Sequence, residues 1–507
     1  MSRKFLAWIF AISAVLRLAL IWIAPAWYDE NFSLILSRLP IARMLAATAG
    51  DTHPPLYYLL IWPLGQLHAP IWVLRIPSAL LSLASIWLFW RILEEFRLPL
   101  RIQMAALILM AIMPIQLYYA QEARMYSLLE FLVLAACLAM LRKHWGWYWL
   151  ACALMLYTQY YAIFYITALG VVIGLRYKHE DIMRAFWANV FAFFVFLPWV
   201  DVLLNQMHTL QGGYWMQLTG VGMLPRVLFE NLFMPPGNAV TQIPLMLVCF
   251  AWLAVALIYA FRHYSDNLGS ILSLAFVPFA LAVLVSLVWQ PILHYRPLIG
   301  ISPFLYILLA WPVEALFERT PSGQTHFKFY RVIHDEDYFT WIKRIDKLTL
   351  KQNLRKSLLA AIFIIPLILV SDVSMYVYAR ENKTSGSITA MAYIQAHWQP
   401  GDIIYHYADD SWVNTNHYYS LPNYKAPDCG ITLGALSPVT RQAIGEQITP
   451  LDNLTYKRAW LLWSDSPLTP TCSDGQLSSL GLDPKKPVLV TASDEYYYDG
   501  LWLLEHK

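Results

Sequence analysis

The chain has 507 residues, 58% of them hydrophobic, 15% aromatic and only 14% charged, with a mean hydropathy of +0.46 and a net charge of +3. That composition excludes an ordinary soluble globular protein, and so small a charge gives no support to a nucleic-acid partner. The five cysteines show no CxxC or Cys/His ligand spacing: Cys137, Cys152 and Cys249 lie in apolar runs, while Cys429 and Cys472 lie in a polar tail where an oxidising compartment would let them pair.

In chain order, Ser2-Arg3-Lys4 precede an apolar stretch with no small-x-small cleavage site, which reads as an uncleaved first span over about 5–25. With these basic residues in the cytoplasm, residues 27–71 form a first outer loop holding Asp29-Glu30 and His53-Pro54-Pro55-Leu56-Tyr57-Tyr58. Residues 54–67 are apolar but too short to cross, which predicts an interfacial helix. The spans that follow are predicted at about 72–90, 102–119 and 126–141, then as a tight pair over 146–175, and then at about 186–204, 242–261, 268–290 and 295–316. Arg91, Arg97, Arg101, Arg142, Lys143, Arg176, Lys178 and Arg262 all fall inside by this count. The loop 318–356 carries nine Lys or Arg and is the strongest cytoplasmic signal, and a last span at about 357–378 returns the chain to the outside. The expected fold is therefore a polytopic α-helical membrane protein of about 11 transmembrane helices over 1–379.

Residues 380–507 have ordinary polarity, with runs such as DIIYHY, RAWLLW and PVLVTA separated by Pro, Gly and Asp turns, and predict a small extracytoplasmic α/β domain. Within it, Ile388 to His397 ahead of Gln399-Pro400-Gly401-Asp402 reads as a helix feeding a strand.

Several polar residues invite chemistry, and each also has a plainer reading. Asp29-Glu30 combine a possible general base with the look of a solvated loop acid. His53 ahead of Pro54-Pro55 is held in an extended turn that aims its ring, yet such a turn also serves as a simple helix entry. Glu122 and Arg124 open the span at Tyr126, and Arg75, Tyr160-Tyr161 and His294-Tyr295-Arg296 lie at the outer ends of other spans, where interfacial anchoring is ordinary. Convergence separates the two readings: the topology collects carboxylates, histidines and arginines at one depth on one side, a set suited to a lipid phosphate flanked by a proton acceptor.

The order DE in the first outer loop, HPPLYY, LRIPSAL and QEARMYSL resembles the GT-C membrane glycosyltransferases over residues 1 to about 315. It is most like the RgtA/B/C/D-like branch, related to the ArnT-type aminoarabinose transferases and the protein O-mannosyltransferases. The resemblance implies a polyprenyl or dolichyl phosphate sugar as donor, used on the noncytoplasmic face by an inverting displacement on a lipid, polysaccharide or protein acceptor. It places Asp29 as base with Glu30 as its partner, either orienting it or contacting the sugar. His53 stands where relatives often carry Lys, and joins His294, Arg124 and Arg296 as donor phosphate contacts. Tyr57, Tyr58, Arg75, Glu122, Tyr126, Tyr160 and Tyr161 would line the sugar or lipid pocket. No metal ligand set is evident and no cofactor is expected, although some GT-C enzymes use a divalent cation. The rival reading is a transporter or flippase for a lipid-linked saccharide, which would place ionisable residues near mid-membrane; the spans read as nearly free of acids there.

Overall fold

A computed structural model describes residues 3–317 and 386–505, apart from 20, 212–219, 221, 233–238, 264, 408, 416–420, 428–435, 466–476, 484–485 and 494–496. The first part is a helical bundle. Its helices are α1 (Arg3–Leu18), α2 (Tyr28–Arg38), α3 (Ile41–Gly50), α4 (Leu56–Gln66), α5 (Ile71–Glu95), α6 (Leu100–Ile112), α7 (Pro114–Ala120) and α8 (Tyr126–Leu141). There follow α9 (Trp145–Leu156), α10 (Ala162–Arg176), α11 (His179–Gln211), α12 (Met223–Glu230), α13 (Ala239–His263), α14 (Ser265–Val288), a 3-10 turn over Arg296–Ile301 and α15 (Ser302–Phe317).

Among the described residues, three helical segments, Ile71–Glu95, His179–His208 and Asn267–Val288, are long and apolar enough to cross a membrane alone, and α6 with α7, bent by 48°, reaches that length only when the pair is taken together. Five shorter apolar helices fall on the expected spans at 126–141, 146–175, 242–261 and 295–316. The first span is shorter than expected, since α1 ends at Leu18. The basic loop 318–356 and the span 357–378 lie outside the described residues, as do Cys429 and Cys472. Among the described residues, helix length alone thus accounts for three of the eleven expected spans, or four with the bent pair taken as one.

The bend between α6 and α7 has a local cause. Pro114 has no N–H to give to Met110 O, so the last carbonyls of α6 lose their partners where no water replaces them. Arg17 supplies the missing donors: Nη2 reaches Met110 O at 3.0 Å, Nη1 reaches Ala111 O at 2.9 Å and Nε reaches Ser82 Oγ at 2.9 Å. Close by, Gln116 Nε2 donates to buried Glu130 at 2.6 Å. Arg17 and one acid, Glu130, therefore lie inside the bundle.

α4 has 11 residues and spans about 16 Å at ~1.5 Å per residue, about half the hydrocarbon thickness. It packs on α2 at Gly65, where an added Cβ would meet Ser37 O at 2.3 Å. Gln66 Nε2 then donates to Ser37 O at 2.9 Å and Leu39 O at 3.0 Å, and Trp62 Nε1 to Leu39 O at 2.9 Å, satisfying carbonyls at the end of α2. The helix that carries Asp29 and Glu30 is thereby fixed at its far end.

The C-terminal α/β unit contains α16 (Gly386–His397), β1 (Asp402–His406), α17 (Asp409–Thr415), β2 (Asn423–Lys425), α18 (Pro438–Ile444), β3 (Arg458–Asp465), β4 (Leu489–Ser493) and β5 (Tyr497–Glu505). Strand order is β2-β1-β3-β5-β4, parallel from β2 to β3 and antiparallel beyond. Alternation sends Ile403, Tyr405, Leu461 and Trp502 to one core, and Ile404, Trp460, Leu462 and Leu501 to a second core beneath α16. The expected helix ahead of Gln399-Pro400-Gly401 is α16, and the strand it feeds is β1.

Candidate active site

Asp29 and Glu30 occupy the first turn of α2, where a carboxylate is favoured by the helix dipole. Consecutive residues on a helix diverge by about 100°, and these two side chains meet different surroundings. Glu30 points inward and is 0% exposed, as is Arg75. Arg75 Nε donates to Glu30 Oε1 at 2.7 Å and Nη2 to Oε2 at 2.8 Å, while Ala123 N adds a 3.0 Å bond to Oε1. The rest of the guanidinium is spent on backbone: Nη1 on Ile21 O at 2.8 Å and Ala24 O at 2.7 Å, Nη2 on Pro25 O at 3.2 Å. Five N–H groups meet five acceptors. Arg75 is therefore a brace between the α1–α2 connection and α5, with its guanidinium given to Glu30 and to backbone carbonyls. Glu30 is enclosed with it, so its carboxylate holds α2 to α5 and to the loop after α7.

Asp29 stays 19% exposed. Its Oδ2 lies 3.3 Å from Arg296 Nη1 and 3.7 Å from Arg124 Nη2. Arg124 is aimed by Nη1 bonds to Tyr58 OH at 3.2 Å and Asp29 O at 3.4 Å. Arg296 sits over the Trp27 ring, 4.6 Å from its centroid, and opens the 3-10 turn with Pro297 next in line. Tyr165 OH pins that turn, donating to Pro297 O at 2.8 Å and accepting from Gly300 N at 3.1 Å. Residues 267 apart in sequence are brought together in this way.

His53 stands at the edge of this group. Its Nδ1 is 3.2 Å from Asp51 Oδ2 and 3.1 Å from Thr52 Oγ1. Asp51 is also among the charges that Arg124 and Tyr58 feel, which ties the His53 loop to Arg124 electrostatically. His294 is less suited to its expected role. Arg296 N donates to its Nδ1 at 3.2 Å, so Nδ1 is the unprotonated nitrogen. Burial, then the charges of Arg296 and Arg226, hold its pKa well below the usual range. A neutral His294 donates a hydrogen bond but neutralises no phosphate charge.

The remaining expected residues divide. Tyr58 and Tyr126 belong to the group, Tyr126 with its ring 4.7 Å from that of Tyr119. Tyr57 is fully buried against Ser78 Oγ at 2.9 Å, and Glu122 is fully buried. Tyr160 bonds Gln206 and receives Trp199 Nε1 at 3.0 Å. Tyr161 OH donates to Ile292 O, bracing the approach to Arg296. Sequence reasoning missed Trp27, Asp51 and Tyr165. Of these, Trp27 and Asp51 were visible as near neighbours of motifs already singled out, whereas nothing local marked Tyr165. Among the described residues, no group of three His, Cys, Asp or Glu side chains has the spacing to hold a metal ion.

Compared with solved structures, the fold is similar to ArnT from Cupriavidus metallidurans bound to undecaprenyl phosphate, with a TM-score of 0.56 and 13% identity over 99% of this chain and 98% of that one. The apo state of the same protein gives 0.55 and 14% over 98% of each chain. The archaeal oligosaccharyltransferase AglB from Archaeoglobus fulgidus, in complex with an inhibitory peptide and a dolichol-phosphate, gives 0.50 and 11% over 90% of this chain and 69% of that one. No protein-family model matches the chain. No curated protein matches it either. Both relatives are GT-C glycosyltransferases, and at these identities the likeness establishes a shared polytopic membrane fold.

Proposed function

We propose that this chain, whose fold is that of the GT-C glycosyltransferases, is an inverting glycosyltransferase that moves a sugar from a polyprenyl or dolichyl phosphate to an acceptor hydroxyl. The reaction takes place on the noncytoplasmic face, with the N-terminus inside and the C-terminal unit outside. The observation that carries this reading is Asp29, an open carboxylate between two guanidiniums that each hold it by one long contact, 3.3 and 3.7 Å.

Asp29 takes the proton of the acceptor hydroxyl, the acceptor oxygen bonds the anomeric carbon, and the carbon–oxygen bond to phosphate breaks. The lipid phosphate leaves with that electron pair. Arg124 and Arg296 stabilise the charge it gains, with His53 at the rim. The donor phosphate competes with Asp29 for the same guanidiniums, so donor binding frees the carboxylate for the acceptor. Tyr58 and Tyr126 line the sugar side.

The transporter reading would draw on Arg17 and Glu130 inside the bundle. Arg17, however, is spent on the carbonyls exposed by Pro114 and on Ser82, a structural use.

The test is transfer of labelled sugar from undecaprenyl phosphate by the detergent-purified chain to envelope extracts. Product formation that needs both donor and Asp29 is expected. Movement of the intact lipid-linked sugar across vesicles without any transfer would overturn the reading.

A further inference from the structure

The C-terminal unit touches both helices on which the proposed chemistry rests. Its α17 and α18 are joined by one buried carboxylate: Arg441 Nη2, on α18, donates to Asp409 Oδ1 at 3.0 Å and Oδ2 at 2.8 Å, and Leu436 N donates to Oδ2 at 2.7 Å. Lys425 Nζ stands 3.7 Å from Asp409 Oδ1, and Glu446 Oε2 stands 3.5 Å from Arg441 Nε. Asp409, Arg441, Lys425 and Glu446 are all buried, so shifting one short helix against the other would leave the buried Asp409 and Arg441 without their partners.

Each helix reaches one arm of the site. At the end of α17, Asn414 Oδ1 accepts a 3.0 Å bond from Asn31 Nδ2, and Asn31 lies two residues past Asp29 on α2. At the start of α18, Ser437 caps the helix by accepting from Thr440 N at 3.1 Å, and Thr440 Oγ1 donates to Ala47 O on α3 at 3.1 Å. Arg43 of α3 returns two bonds to Ala443 O, at 3.0 and 2.6 Å. The fit is close at Gly50, where an added Cβ would meet Ser437 Oγ at 2.5 Å, Thr440 Oγ1 at 2.6 Å and Thr440 N at 3.1 Å.

The last carbonyls of a helix need partners from outside it, and α3 draws its partners from two distant places. Thr440 takes Ala47 O, while Gln206 Nε2 on α11 takes Thr48 O at 2.9 Å and Ala49 O at 3.2 Å. The next residues after Gly50 are Asp51, Thr52 and His53.

We propose that α17 and α18 form a rigid spacer that sets the position of Asp29 relative to the Asp51–His53 loop, with Asn414, Thr440 and Gln206 as positioning residues. The spacer rests on reading Asp29 as the base and His53 as a donor-phosphate contact. It gives the C-terminal unit a part in turnover through α2 and α3.

The two arms make the test specific. In the full-length protein, Thr440→Val removes the bond to α3 and is expected to raise the donor KM about fivefold with kcat within about twofold, the scale of one lost hydrogen bond. Thr440→Ser, which keeps the hydroxyl, restores the wild-type KM. Asn414→Leu acts on the α2 arm and lowers kcat about fivefold with the donor KM little changed. Gly50→Ala strikes the same junction as Thr440→Val from the α3 side and reproduces its KM effect, so one poorly folding variant leaves the other to decide. Equal kcat losses in both arms, or no change in either parameter, in variants that melt like wild type, overturn the spacer while leaving the transferase reading intact. A wild-type protein that transfers no sugar overturns both.

Discussion

At Arg75 five N–H groups meet five acceptors, and Glu30 is sealed with it at 0% exposure; one residue earlier, Asp29 is 19% exposed and is held by single long contacts to Arg124 and Arg296. Both regions join arginine to carboxylate at the same end of the bundle. The closed region has no donor left for a ligand, so its content is architectural: it joins the α1–α2 connection, α2, α5 and the loop after α7. The open region keeps Asp29 and Arg296 partly exposed beside the buried Arg124, the set that the reading proposed above offers to an incoming phosphate. On the reading proposed above, donor saturation, not residue type, separates framework from chemistry.

The sharpest way to break this comparison is Asp29→Asn. It keeps the shape and a hydrogen-bonding oxygen but removes the proton acceptor, so transfer should fall about 10²–10⁴-fold, the scale of a general base, while the melting temperature in detergent stays near wild type. Full transfer by a folded Asp29→Asn protein would move the chemistry elsewhere. The matching substitutions in the closed region should act on folding instead. Arg75→Met strands the Glu30 carboxylate and is expected to cost about 3–5 kcal/mol, read as a large drop in melting temperature and folded yield; Glu30→Leu with Arg75→Met should recover part of it. If Arg75→Met melts normally and loses only donor affinity, Arg75 belongs to the open region after all.

A smaller effect is expected at Arg296→Ala. One charge-assisted contact to phosphate is worth about 1.5–3 kcal/mol, which predicts roughly a ten- to hundredfold rise in donor KM with a lesser change in acceptor KM. Equal effects on both substrates would place Arg296 outside the phosphate site.

These contrasts also show what the sequence made legible. Asp29, Arg124 and Arg296 emerge as a group once the spans are placed by their basic flanks, because polar residues at one membrane depth converge whatever their separation in the chain. The short helix at 56–66 and the strands at DIIYHY and RAWLLW follow from length and period-two alternation. Saturation is not written in a motif: Arg75 in LRIPSAL looks as available as Arg124 in EARMY until its backbone acceptors at Ile21, Ala24 and Pro25 are seen. Arg17 is similar, since its task is created by Pro114 on another helix. His294 looked cationic because the residue type is, whereas the backbone N–H at Nδ1 and two arginine charges act only in the fold. The contact between Asn31 and Asn414 spans 383 residues and has no local signature at all.

The smallest predicted effect tests whether closed charge clusters carry a stability penalty that the open site avoids. Within the C-terminal unit, burial and then the neighbouring Asp409 raise the Glu446 carboxyl from 4.5 to about 8, against the pull of Arg441 and Lys425. Below the unfolded value both states hold the proton and nothing is lost. Between there and about 8 the unfolded chain releases its proton while the folded chain keeps it, so stability falls as pH rises, by about 1.4 kcal/mol per unit at most for one group. His406 runs the other way: burial and then Lys425 hold it at about 3, so its share of stability is present above 6.5 and lost as pH falls. The two slopes oppose each other in mild acid, and for that reason the wild-type curve alone is a poor probe. Comparison with Glu446→Gln isolates one of them. Melting followed over a pH series in detergent should show variant and wild type close together near pH 5, with the variant gaining steadily toward about pH 8. A constant gap across the series would mean that the folded protein keeps Glu446 ionised beside Arg441, and that this cluster resembles the pairing at Glu30 rather than a buried neutral acid.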